Sequence, residues 1–252
     1  MKFKATNVWF FLVLLLLPLR SAVAVLEIQI TKGGEGGIPI AIVPFGDAPG
    51  GALGAEIASI VNADLAGSGR FDTLPEADML DRPTAIEGVQ YNNWRLLKVS
   101  DLVIGKVTPM GEGSISVEFR LLDILTQGQL MGEVFRASSK NVRAIAHRIS
   151  DMIFEKLTGI RGAFSTKVAY VATSQGQGGP RYQLIIADAD GYNPRTVLES
   201  KEPLMSPAWS PDGSKLAYVS FEKKRSEVYI QDLNTGSRKR VSSSVGINGA
   251  PA

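Results

Sequence analysis

Apolar and polar residues alternate at residues 25–30, VLEIQI, which puts Leu26, Ile28 and Ile30 on one side of an extended strand. Residues 31–37, TKGGEGG, form a flexible tether by composition. A strand on a glycine leash can pack at home as an edge strand. Released, it can add to another protein's sheet through backbone hydrogen bonds. The pattern favours the packed form. Residues 38–45, IPIAIVPF, are a β-rich apolar run and predict a buried strand. Ile57, Ile60, Val61 and Leu65 then recur at helical spacing, with Gly67 and Gly69 as the stop. Residues 101–107, 114–124 and 129–137 predict three strands. The short turns Gly111-Glu112-Gly113 and Thr126-Gln127-Gly128 make them an antiparallel meander. A second helix runs from Asn141, which is placed to cap it, to Gly159, which ends it. It carries Val142, Ile145, Ile149, Met152, Ile153 and Leu157 on one face. These elements predict an α/β domain over residues 38–162.

Helical periodicity does not return after residue 163. KVAYV (167–171) and the strand ending in DADG reappear as KLAYV (215–219) and a strand ending in DLNTG. Asp188 and Asp232 stand 44 residues apart, as do Ala208 and Ala252. Several short strands at that period are the signature of β-propeller blades, so residues 163–252 predict an incomplete propeller. Ser210-Pro211-Asp212-Gly213 is a tight turn, since Pro fixes φ at its second position and Gly suits its fourth. Residues 215–219 are apolar on both faces, as a strand between two sheets must be. Trp209, just before the turn, is placed to fill the wedge between blades. By the phrase count the chain holds about one blade and the start of a second.

The extreme N-terminus changes the cellular picture. Lys2 and Lys4 precede an apolar run that ends in Ala22-Val23-Ala24, the pattern of a secretory signal peptide over residues 1–24. Cleavage falls between Ala24 and Val25 and leaves no membrane span, and residues 25–37 become a free strand and tether. No Cys is present to carry a lipid or a disulfide. The formal charge of +2 falls to −1 once Lys2, Lys4 and Arg20 leave with the leader, which argues against nucleic acid as a partner. Lys223-Lys224-Arg225 and Arg238-Lys239-Arg240 read as solvated charge at strand ends or turns.

Candidate chemistry is sparse. His147 is the single histidine and projects away from its helix's apolar face, so it reads as solvated. Without Cys or a second His there is no thiol metal site and no Cys–His catalysis. No G-x-S-x-G elbow is present. DADGYN (188–193) begins like a calcium loop but lacks the downstream glutamate, so a turn is expected. No cofactor, metal or catalytic residue is expected.

Four stretches carry a resemblance: PIAIVPF (39–45), FEKLTGIRGAF (154–164), LMSPAWSPDGSKLAYVSFE (204–222) and NGAPA (248–252). In them, and in its domain order, the chain resembles the TolB family of the Tol–Pal system. The resemblance implies an α/β domain followed by a six-bladed propeller, in a periplasmic binding protein and not an enzyme. It implies TolA as the partner of an N-terminal strand, at Val25, Leu26, Glu27, Ile28, Gln29, Ile30, Thr31 and Lys32. It implies the Pal lipoprotein as the partner of propeller loops, at Leu204, Met205, Ser206, Pro207, Ile247, Asn248, Gly249 and Ala250. Other Tol or outer-membrane proteins and colicins are further implied partners, and outer-membrane invagination in cell division and envelope integrity the implied roles. Six blades need far more chain than follows the α/β domain, so the sequence is expected to be truncated, with a second half that does not fold alone. The alternative function is the N-terminal fragment of a secreted serine peptidase that carries a propeller.

Overall fold

A computed structural model describes residues 36–249 and residue 251 of the chain. The first half is built on five strands: β1 (Ile38–Ile42), β2 (Phe71–Thr73), β3 (Asp101–Gly111), β4 (Ser114–Asp123) and β5 (Gln129–Ser138). They lie in the order β2-β1-β3-β4-β5. β1 pairs in parallel with β2 and β3, and β3, β4 and β5 form the expected antiparallel meander. The helices are α1 (Leu53–Gly67), α2 (Tyr91–Leu96) and α3 (Val142–Thr158).

Alternation divides the side chains between two layers. Ile40, Ile42, Val103, Phe119 and Leu121 pack with Ile57, Val61 and Leu65 of α1 and with Ile145, Ile149 and Ile153 of α3. The opposite residues, Ala41, Val43, Leu102 and Ile104, pack with Trp94 of α2. β1 reads as an unbroken apolar run because both its faces are covered. Each fully buried Ile or Leu here contributes about 1.5–3 kcal/mol relative to exposure. α3 ends as expected at Gly159, which adopts φ +72° and donates its N–H to Glu155 O at 2.9 Å. Its start differs. Asn141 makes no side-chain cap; a 3₁₀ turn at Ser139–Asn141 precedes the helix, and Ser138 Oγ accepts from Lys140 N at 3.3 Å.

The second half is all strand. β6 (Lys167–Gly176), β7 (Gly179–Asp188) and β8 (Arg195–Ser200) make a three-stranded antiparallel sheet. β9 (Leu204–Trp209), β10 (Lys215–Ser220), β11 (Glu227–Asp232) and β12 (Arg238–Ser242) make a four-stranded one in the order β12-β11-β10-β9. The repeated phrase places β6, β7 and β8 opposite β10, β11 and β12, with β9 as an additional first strand. Residues 167–242 therefore hold two sheets, where the phrase count suggests one blade and a start. The two sheets bury one another. Leu184 and Ile186 pack against Leu204, Leu216 and Tyr218, with Trp209 beside them, as expected of a residue in the wedge between blades. Tyr218 donates to Gln231 Oε1 at 3.1 Å, and Gln231 Nε2 donates across to Val197 O of the first sheet at 2.8 Å. Burial pushes the Tyr218 phenol up to about 12.

The Ser210–Gly213 turn has the expected form. Gly213 lies at φ +68° and its N–H donates to Ser210 O at 2.9 Å. The Asp212 carboxylate accepts from Ser214 N and Ser214 Oγ, while Ser210 Oγ accepts from Lys215 N. The hydroxyls of Ser210 and Ser214 hold the Asp212 carboxyl well below the usual carboxylate range.

Candidate functional site

The two segments expected to face a partner come together at one end of the four-stranded sheet. Leu204 pairs with Ser220 where β9 begins, and Asn248 bonds to Ser226 and Ser242, just before β11 and at the end of β12. The expected loop at Leu204–Pro207 is strand, because it supplies the inner edge that β10 pairs with. Leu204 is buried and Met205 exposed. Between Met205 and Ala208 the strand carries one residue more than its partner, and Ser206 in that bulge adopts φ +50°. Pro207 is half-buried.

Asn248 is also turned inward. Its N–H donates to Ser226 Oγ at 2.9 Å, and its Nδ2 donates to Ser226 O at 3.0 Å and Ser244 O at 2.9 Å. Its Oδ1 accepts from Ser242 Oγ at 2.6 Å and Ser244 N at 3.2 Å. This amide is the staple that folds residues 242–249 back over the sheet end. Around it the apolar side chains point out: Ile247 is 98% exposed and Val245 fully so. Gly249 is exposed. Ala250, and Ala24 with the strand Val25–Lys32, lie outside the described residues.

Beside Asn248 the sheet buries a charge. The Glu227 carboxylate accepts from Tyr229 OH at 2.9 Å, Arg240 Nη1 at 3.1 Å and Arg225 Nε at 3.2 Å. Burial pushes its carboxyl up, but the Tyr229 hydrogen bond and the two guanidinium groups outweigh that and leave it below its ordinary value. Arg238 forms a two-pronged pair with Glu222 and lies over the Tyr229 ring, 5.2 Å from its centroid. Arg225, Arg238 and Arg240 are exposed, as expected of solvated charge, and each also pairs with a carboxylate of the sheet end. Arg238, Lys239 and Arg240 open β12, where the register sets Arg240 across from Tyr229 and Arg238 across from Gln231, and the two guanidinium groups reach Glu227 and Glu222. Glu222 and Glu227 on either side of residues 223–225 were the available signal.

A second cluster lies where the first half meets the three-stranded sheet. His147 of α3 is not solvated but 3% exposed, and its Nδ1 stands 2.8 Å from Asp64 Oδ2 of α1. Helical period reveals the face packed on the sheet; it does not reveal that α1 and the β7–β8 turn cover another. His147 Nε2 has no hydrogen-bond partner and points toward Asp190 Oδ2 of that turn at 3.7 Å. Arg143, one turn earlier on α3, pairs with Asp190 and stacks 3.8 Å from the centroid of Tyr192. The Asp64 hydrogen bond draws the imidazole upward and burial opposes it; the net shift is upward. Further along, the Asp151 carboxylate accepts from Phe164 N at 2.7 Å, Ser165 N at 3.2 Å and the Ser165 hydroxyl, tying the connecting segment to α3. A cleft of about 540 Å³ opens beside this junction, lined by Lys140, Arg143, His147, Lys167, Asp188 and Tyr192 among others. The carboxylates of the DADGYN turn serve the fold: Asp188 accepts from Lys167 Nζ and Asn193 Nδ2, and Asp190 from Tyr192 N.

Comparison with known proteins bears on both halves. A family model described as the TolB amino-terminal domain matches residues 26–130, and one described as the TolB beta propeller domain matches residues 154–252. The chain belongs to the TolB family. It is 48% identical over 231 residues to the Tol-Pal system protein TolB of Nitrosococcus oceani, covering 91% of this chain and 53% of that protein. It is 46% identical over 243 residues to that of Xanthomonas oryzae pv. oryzae, covering 95% and 55%. The crystal structure of TolB from Acinetobacter baumannii superposes with a TM-score of 0.76 at 40% identity, covering 86% of this chain and 52% of that one. The chain thus spans about half the length of the curated relatives it matches. Among the described residues no helix is long and apolar enough to cross a membrane.

Proposed function

We propose that this chain belongs to a periplasmic adaptor of the Tol–Pal system, a binding protein and not an enzyme. It holds TolA by the strand Val25–Lys32 and the Pal lipoprotein by the propeller end around Met205 and Ile247. In this role it supports outer-membrane invagination during division and envelope integrity. Residues 25–37 serve as strand and tether, 38–162 as the α/β domain, and 163–252 as part of the propeller. The observation that carries the proposal is the identity of 46–48% to proteins named for the Tol–Pal system, sustained over more than nine tenths of the chain. Family membership favours this function over the peptidase alternative. The exposed Met205, Val245 and Ile247 at one sheet end fit an apolar contact with a protein partner.

The test is a pair of binding titrations on the full-length protein. Deleting residues 25–32 is expected to abolish TolA binding and leave Pal binding intact. TolA binding that survives the deletion refutes strand addition. Replacing Ile247 with Asp is expected to weaken Pal binding and spare TolA binding, and unchanged Pal affinity refutes the proposed face.

A further inference from the structure

His147 lies at the only place among the described residues where α1, α3 and the β7–β8 turn bring ionisable side chains around one imidazole. Asp64 faces it from α1, Asp188 from the end of β7, Asp190 from the β7–β8 turn, and Arg143 from its own helix. Lys167 at the start of β6 neutralises Asp188, and Glu56 lines the adjoining cleft. The two ring nitrogens are not equivalent. Nδ1 is at hydrogen-bonding distance from Asp64, on the same half of the molecule. Nε2 is buried, has no hydrogen-bond partner, and is aimed across the junction at Asp190.

A neutral imidazole has one N–H. Given to Asp64, it leaves the Nε2 lone pair facing the Asp190 carboxylate, and two acceptors repel. A second proton turns Nε2 into a donor aimed at a carboxylate, so the same ring then holds both halves. The gap of 3.7 Å is within a small movement of a charge-assisted hydrogen bond. We infer that His147 is a proton-operated latch: doubly protonated, it bridges Asp64 of α1 and Asp190 of the β7–β8 turn and fastens the α/β half to the first blade sheet. Arg143 gives Asp190 a second partner, so deprotonation loosens the junction without releasing it, and the Asp151 tie to residues 164–165 is unaffected. The inference concerns the chain itself and stands apart from the partners proposed above.

The direction with pH follows from linkage. The folded-state value lies above the ordinary imidazole value of 6.5. The contribution is therefore fully present below about 6.5 and is lost as pH rises through the folded-state value.

The chain has a single histidine, so its imidazole resonances can be followed by NMR without ambiguity. Amide exchange at residues 188–193, corrected for intrinsic rates, reads the turn at pH 5.5 and 8.5. In the native chain the midpoint is expected above 6.5 and the turn is expected to be better protected at the lower pH. Asp190→Asn should lower the midpoint and remove the pH dependence of exchange. Arg143→Gln removes a neighbouring cation and should shift the midpoint upward. The midpoint shifts place His147 in the field of both groups, and the loss of pH-dependent turn exchange in Asp190→Asn is the readout that a merely structural histidine would not produce. A midpoint unmoved by either substitution, or turn exchange in the native chain that ignores pH, overturns the latch.

Discussion

Asn248→Ala separates a residue that builds the propeller end from one that touches a partner. The native side chain makes four hydrogen bonds inside the protein, and the residue is 7% exposed. At a net contribution of about 1 kcal/mol each, the upper bound is about 4 kcal/mol. Two of the four partner groups belong to Ser244, which is exposed and regains water on truncation. The Ser242 hydroxyl is half-buried and can rotate. Ser226 O has no such recourse, because Ser226 is buried, and an unsatisfied carbonyl there costs about 1–3 kcal/mol. The expected loss is therefore about 2–3 kcal/mol, confined to the sheet end. Hydrogen exchange at residues 226–249 should accelerate by one to two orders of magnitude, while exchange in β3 and β4 stays unchanged. Ile247→Ala, made beside it, removes an exposed side chain and should alter exchange by less than about 0.5 kcal/mol in free-energy terms. If Asn248→Ala left exchange at residues 226–249 within that same margin, the staple described above would be wrong and Asn248 would be better read as a partner contact.

Leu216→Ala empties the core between the two sheets and is expected to cost about 2–5 kcal/mol, seen as a lower unfolding midpoint in denaturant. Gly54→Ala would set a Cβ 2.2 Å from Phe45 O, so it should destabilise the contact between α1 and the segment after β1 by more than the few tenths expected of a surface change, and thermal unfolding would show it. The Asp212 carboxyl is held below 3.8, so its grip on the Ser210–Lys215 turn is full above that pH and is lost only as pH falls through the lower folded-state value. A carboxyl NMR titration of Asp212 should show no midpoint near 3.8. Asp151→Ala should free residues 164–165 from α3, read as faster exchange of those two amides with the α3 core unchanged.

Much of the architecture is legible in the chain alone, and it is the part set by neighbours in sequence. The meander of β3, β4 and β5 follows from alternation and two glycine-bearing turns. Gly159 ends α3, and the Ser210–Gly213 turn closes, because φ preferences act within a few residues. The 44-residue echo identifies blades, since each repeat buries its faces against a like neighbour. What the pattern could not show is which residues a distant segment covers. Leu216 and Tyr218 are fully buried, whereas Val168 and Tyr170, in the same phrase on β6, are each 39% exposed. The residue types are nearly identical; β10 has β9 and β11 on its two sides, and β6 pairs with β7 alone. The sequence pattern places His147 in solvent for the same reason. Its helix shows a single apolar face, but α1 and the β7–β8 turn close over the other side and convert a surface imidazole into a buried one between two carboxylates. Asn248 lies in a segment without periodicity, and only the return of that segment to Ser226 makes it a staple. The sequence by itself determined the elements, their turns and the family. The tertiary structure decided burial and ionisation, because these depend on what folds back from far along the chain and not on local spacing.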